Sequence, residues 1–315
     1  MTYYGSDTHG GEGGKILHVS NLNPTGHGSL REAIETSGLR NVVFDVSGTI
    51  DLNLEKLRVR DPFITIEGGM GPSPGITLIR GGLSIRTHDV IVRHLKVRPG
   101  DGGEGTPLLS DGISFWGSEA HHGLIENCSV SWGTDENISV SGPDGDIAHD
   151  VTFRRCLISN GLQFSTHPKG QHSRGALIRG KNVSIEECLF AHNHRRNPVF
   201  RDGATGRVVN NTIYNPGTAA IHTNDAVVSV SGNILIPGKN TLPGLPIFSG
   251  NGMASLSNNL KLELHEASEQ IKDRLRNVGA VVGRRDLIDR LTLRPLRRSY
   301  GKIIDSQDDV GGYPS

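Results

Sequence analysis

Short alternations of apolar and polar residues recur through the middle of the chain, each interrupted by a polar bend and then resumed. Val90–Val97, Leu124–Val130, Thr152–Ile158, Ser184–Phe190, Val208–Tyr214, Val228–Leu235 and Ala254–Leu260 are seven related units. They return every roughly 20–33 residues, the period of a repeat architecture. Alternation with a period of two predicts strands with one buried face. A single unit of this kind cannot bury that face. Stacked units solve the problem, because each strand pairs with its counterparts above and below and the Val, Ile and Leu positions fill one continuous interior. The pattern therefore predicts an all-β fold, a parallel β-helix. A β-sandwich is the rival, but its hairpins require Asn-Gly or Asp-Gly turns at short regular spacing, whereas longer excursions separate the strands here. Asn residues at the bends are expected to hydrogen-bond along the stack.

The ends break the pattern. Ser29-Leu30-Arg31-Glu32 is a capping-box sequence followed by helical periodicity, which predicts a cap helix over 28–36 closing the first coil. The coils are expected over about 41–262. The tail, 263–315, carries two helix-compatible stretches expected to pack on the outside of the same single domain.

Composition narrows this picture. The 315 residues include 42 glycines but only 5% aromatics, in keeping with a turn-rich β architecture and a narrow core. A formal net charge of +0 argues against a molecule-wide polyanion surface, so nucleic acid is not an expected partner and any anion site must be local. No apolar run approaches the roughly 18–20 residues of a membrane helix, and no membrane partner is expected. The first residues lack a basic segment followed by an apolar one, so export is not encoded in them. Cys128, Cys156 and Cys188 occupy the same place in three successive units. They read as small hydrophobes in one interior stack, since Cys-x-x-Cys spacing for zinc is lacking.

Candidate chemistry gathers in the excursions at 99–120, 132–146 and 160–180 and in the stretch that follows. Asp111 and, about one coil later, Asp135 and Glu136 supply hard oxygen atoms of the kind calcium takes. Alternation along a strand would point Glu136 away from Asp135, which ranks it behind Asp111 and Asp135 as a ligand. Lys169 follows in the next coil. Arg195, Arg196 and Arg201 come one coil after that, beside Pro198. Guanidinium groups bind carboxylates bidentately, so such a cluster suits a polymer carrying a carboxylate on every unit. The order acid, acid, base, base would lay a metal pocket beside a basic strip on one face. His167, His172, His192 and His194 surround the same region and could supply a leaving-group acid or a base, although among 14 histidines a polar loop or coil position is the ordinary reading of any one. Trp116 is the better sugar-stacking candidate, while Trp132 is expected to pack between loops.

In these motifs the chain resembles the pectate lyases of polysaccharide lyase family 1, which are right-handed parallel β-helix enzymes. The resemblance rests on Gly28–Ile34, Ser131-Trp132-Gly133-Thr134-Asp135-Glu136, His167-Pro168-Lys169-Gly170, Arg196-Asn197-Pro198 with Arg201, and the tail Ile304–Pro314. It implies cleavage of polygalacturonate by calcium-assisted β-elimination, with Arg196 removing the C5 proton. Lys169 and Arg201 are then clamps on substrate carboxylates, His167 and Trp116 further substrate contacts, and Asp111 and Asp135 calcium ligands, with Glu136 behind them. Ser139 stands where the family carries a further aspartate. The implied partner is an acidic polysaccharide, the implied state a monomer, and the implied location secreted or periplasmic, the last following from the substrate alone. The alternatives are a β-helix glycoside hydrolase using Asp111, Asp135 and Glu136 as acid and base, and a non-catalytic polysaccharide-binding β-helix.

Overall fold

The structure is a computed structural model that describes residues 4–5, 7–103, 107–297 and 301–314. Residues 104–106 of the first excursion and 298–300 and 315 of the tail lie outside the described residues.

Each of the seven sequence units turns at one residue in the left-handed region: His94, Asn127, Arg155, Glu187, Asn210, Gly232 and Asn258, with φ between 51° and 66°. One left-handed residue reverses the outward–inward phase in a single step, and Asn and Gly adopt that conformation at least cost. The next residue then points inward. Leu95, Cys128, Cys156, Cys188, Asn211 and Asn233 are buried there, one above another. The three cysteines are free thiols in this stack, as the sequence indicates. The stack passes from sulfur to amide where the Cys188 N–H donates to Asn211 Oδ1 at 2.9 Å. Asn211 Nδ2 then donates to Asn233 Oδ1, and Asn233 Nδ2 to Asn259 Oδ1, both at 2.9 Å. This amide ladder satisfies polar groups that would otherwise be stranded in the core.

Successive coils pair in parallel throughout the named strands. One sheet of nine strands runs from Gly48–Asp51 to Leu260–Lys261, and a sheet of sixteen combines the two remaining faces through the long strand Ile221–Ser231. The result is a right-handed parallel β-solenoid of about 9 turns. Its interior is one continuous cluster of Val, Ile, Leu, Phe, Ala and Cys from Val19 to Leu245.

The N-terminal cap is helix α1, Leu30–Glu35, with Ser29 accepting from the Glu32 N–H and Leu30, Ala33 and Ile34 buried. The solenoid begins earlier than the sequence pattern suggests, because Lys15–Val19 pairs with Arg40–Phe44 ahead of the first full coil. At the other end, helix α2, Leu264–Asn277, lays Ala267 and Ile271 on the outer side chains of Leu157, Leu189, Tyr214 and Ile236. Helix α3, Leu287–Leu293, is held by charge. The fully buried Arg98 donates to Asp286 at 2.6 and 3.1 Å and to Asp289 at 2.7 Å, and Ser129 Oγ donates to Asp289 Oδ2 at 2.5 Å. Trp132 is buried with Leu162, Ile288 and Ile304, and its ring meets Tyr313 edge-on at 6.0 Å. Packing of Trp132 between loops is thus as expected.

One face carries the chemistry. Its strands, in spatial order, are Leu57–Val59, Leu83–Ile85, Ile113–Trp116, Glu136–Ser141, Arg174–Ile178, Val199–Arg201 and Ile221–Ser231. Alternation sends every second side chain of each strand outward into columns along the solenoid.

Candidate active site

Three carboxylates meet at the start of two neighbouring strands. Asp111 lies just before Ile113–Trp116, and the in-register pairing of Ile113 with Ile138 brings it level with Glu136. Asp111 Oδ1 accepts from the Glu136 N–H at 3.0 Å, and its Oδ2 accepts from Ser139 Oγ at 2.7 Å. Asp111, Asp135 and Glu136 each offer an oxygen, all within 4.8 Å of one another. Glu136 therefore joins Asp135, contrary to the alternation argument. Asp135 lies at the bend before the strand Glu136–Ser141, so strand alternation does not govern the two residues.

Burial and the neighbouring Asp135 push the Asp111 carboxyl up to about 6, which marks a place where negative charge is uncompensated. Burial alone would also raise Asp135. The hydrogen bond from His172, together with the charges of His172, His167 and Arg196, outweighs it and holds Asp135 below its ordinary range. His172 Nε2 lies 3.2 Å and His167 Nε2 3.6 Å from Asp135 Oδ1. The two imidazoles stack at 3.6 Å with planes 17° apart. A metal bound by both ring nitrogens would sit well out of each plane, so this pair fits a hydrogen-bonding buttress rather than a ligand pair. His167 Nδ1 accepts from the Lys169 N–H at 3.1 Å, which leaves its proton on Nε2, facing Asp135. His167 is thus buried behind the acid, and the structure gives it Asp135 as its partner. The three oxygens, by contrast, fit a hard cation that tolerates irregular coordination and completes its shell with water or substrate.

The bases lie one and two coils on. Glu136 is in register with Arg174, and Arg174 bridges to Arg195. Arg196 has φ 61°, in the left-handed region that non-glycine residues rarely occupy, and precedes the cis Asn197–Pro198 bond. Its guanidinium reaches back across the Arg174 coil to pair with the Glu136 carboxylate. Buried amides hold this turn from within: Asn137 Nδ2 donates to Asn193 Oδ1 at 3.0 Å, and Asn193 Nδ2 to Asn197 Oδ1 at 3.1 Å.

Arg174, Arg195, Arg196 and Arg201 line a groove of about 510 Å³, with His222 and Asn224 on its far side. Burial lowers the Arg174 guanidinium, and Arg195 adds to the effect. Burial also lowers Arg196, assisted by Arg201 and opposed by Asp135 and Asp111. His222 is depressed to about 4 by burial and by the Arg195, Arg196 and Arg174 charges, so its imidazole is neutral near pH 7.

Lys169 does not line this groove. It is exposed at the tip of its loop, and Arg174 stands in the groove instead. Coil phase was the missed signal: Arg174 opens a strand, Arg174–Ile178, while Lys169 lies mid-excursion. Arg195, His222 and Asn224 were likewise not singled out as individual site residues. His222 and Asn224 arrive a coil beyond the motifs that drew attention. Trp116 is 40% exposed at the end of its strand, with the Arg86 guanidinium carbon 5.4 Å from its ring centroid. It stands two strands from Arg174 rather than in the arginine groove.

A family model described as the right-handed beta helix region matches residues 106–261. A protein of Emericella nidulans described as probable pectate lyase C is 34% identical over 241 residues, covering 76% of this chain and 52% of the relative. The chain spans about half the length of the curated relatives it matches. Among solved structures, the major allergen of cedar pollen superposes with a TM-score of 0.62 at 19% identity, covering 83% of this chain and 81% of the other. A Bacillus subtilis pectate lyase variant does so with a TM-score of 0.61 at 13% identity, covering 96% and 97%. At such identities the solved structures speak for the fold, and the fungal sequences speak for the lineage. Coil architecture and sequence kinship agree: the chain belongs to the pectate lyase family of right-handed parallel β-helix proteins.

Proposed function

We propose that this protein is a pectate lyase that cleaves polygalacturonate by β-elimination, with calcium as its cofactor. The observation that carries the reading is the Glu136–Arg196 pair, which joins a three-carboxylate cluster to a four-arginine groove on one sheet face. Asp111, Asp135 and Glu136 would hold the cation, which when bound neutralises a uronate carboxylate and acidifies the C5 proton beside it.

The remaining work falls to the chain's own side chains. Arg174 and Arg201 clamp substrate carboxylates, a role that the family resemblance implies for Lys169 and Arg201. Arg196 takes the C5 proton through a neutral guanidine nitrogen. The electron pair left at C5 forms the C4–C5 double bond as the C4–O4 bond breaks, and the departing oxygen takes a proton from solvent. A neutral arginine is rare. The acids beside Arg196 favour its charged form, whereas burial and Arg201 oppose it, and activity should rise toward alkaline pH. Glu136 aims the guanidinium. His167 and His172 keep Asp135 ionised.

The hydrolase alternative fares worse on this geometry. It needs two carboxyl groups as acid and base, whereas here a third stands beside them and one of the three is paired with Arg196. It also leaves four groove arginines with binding roles only. The test is incubation with polygalacturonate, with calcium or with a chelator, following ultraviolet absorbance of unsaturated product and reducing ends in parallel. The expected result is a calcium-dependent absorbance rise that tracks reducing ends. Reducing ends without absorbance would overturn elimination in favour of hydrolysis.

A further inference from the structure

The outward column that contains Arg201 continues far beyond the groove. Register places Arg60 beside Arg86, Arg86 beside Trp116, Trp116 beside Ser141, Ser141 beside Arg179, and Arg179 beside Arg201. Arg58 lies one outward position before Arg60, level with Ser84. Arg58, Arg60 and Arg86 line a hollow of about 480 Å³.

In the same column, Arg179 pairs with Asp144 and with Asp202. Among the described residues, Arg58, Arg60 and Arg86 have no carboxylate partner; Arg86 is held by Ser84 Oγ at 3.0 Å and by the face of Trp116. Burial lowers the Arg86 guanidinium, and the Arg58 and Arg60 charges lower it further. Three like charges around one hollow repel one another, and an anion between them removes that repulsion. Trp116 adds an exposed ring whose free surface suits a sugar face.

We propose that Arg58, Arg60 and Arg86, with Trp116, form a distal subsite for carboxylates of the same polyuronate chain that occupies the arginine groove. This rests on the substrate class of the proposed function. Four strand steps separate the coil of Arg86 from that of Arg201, roughly 19 Å, so a ligand must be several sugars long to engage both places. The subsite therefore selects long chains over short ones.

The test compares kcat/KM on long polygalacturonate with that on trigalacturonate, for the wild type, the double variant Arg58→Ala/Arg60→Ala, and Arg86→Ala. The expected result is that the long-to-short ratio falls about tenfold in both variants, since bidentate carboxylate contacts are lost only for long chains. A ratio that stays unchanged, whether or not both rates fall, overturns the subsite. Calorimetry separates this from failure of the proposed function. If the wild type cleaves neither substrate, tighter binding of hexagalacturonate than of trigalacturonate that is lost in the variants still supports the subsite, and equal binding of the two overturns it.

Discussion

At the scale of the residue, backbone phase decides which side chains meet. Motif order in the sequence points to Asp111, Asp135, Arg196 and Arg201, and the fold brings these four to one sheet face. Glu136, ranked behind them, stands in the same carboxylate cluster, while Lys169 lies outside the arginine groove. A bend before Glu136 cancels strand alternation, and a long excursion carries Lys169 outward while Arg174 enters the groove. Burial was the least legible property. His192, read as a possible acid or base, is 2% exposed, and its Nδ1 lies 2.9 Å from Asn215 Nδ2. Burial drops the His192 imidazole to about 4, and that of His222 falls to a similar value. Between pH 4 and about 6.5 the unfolded chain binds protons at both rings that the folded chain refuses. Stability is thus complete above about 6.5 and falls as pH drops toward 4, by up to about 1.4 kcal/mol per pH unit for each ring. His192→Asn is a suitable probe, because Asn160 and Asn215 hold the same left-handed bend in adjacent coils. Urea midpoints from pH 4.5 to 7 should show a shallower slope in this variant. An unchanged slope would mean that His192 is charged in the folded protein.

At the scale of the element, the repeat was the most readable feature, since every one of the seven units turns out to bend at one left-handed residue. Helix α1 was equally plain from Ser29 and Glu32. The strand Lys15–Val19 was not, because His18 and Lys15 interrupt its short apolar run and its partner lies beyond the cap helix. For the tail, sequence periodicity marks the helices but not what holds them. Arg98 is an outward position of a coil strand, and only the fold brings Asp286 and Asp289 to it. Burial alone would raise Asp286, yet Arg98 holds it below the usual carboxylate range. Removing Arg98 leaves two carboxylates without their cation. Arg98→Ala should cost about 3–5 kcal/mol in chemical denaturation, the usual penalty for breaking a buried pair. A loss below 1 kcal/mol would show that α3 contributes little to the stability of the fold.

At the scale of the whole molecule, stacking converts sequence order into spatial order. Acids on the Asp111 and Glu136 coils come level with Arg174 on a single sheet face, and along that face the Arg201 column and the second arginine cluster on earlier coils fall on one line. Such a line is the shape of an extended acidic polymer. No helix of the described residues is long and apolar enough to cross a membrane. In the proposed function Arg196, where the acids meet the bases, removes the proton. The most direct measurement is the rate of unsaturated-product formation by Arg196→Lys against wild type at saturating calcium and polygalacturonate, with the thermal midpoint of each protein as the check on folding. Loss of a base at Arg196 should lower kcat at least about 100-fold, the scale of general-base catalysis, with the midpoint little changed. Retention of most of the rate in a folded variant would contradict it.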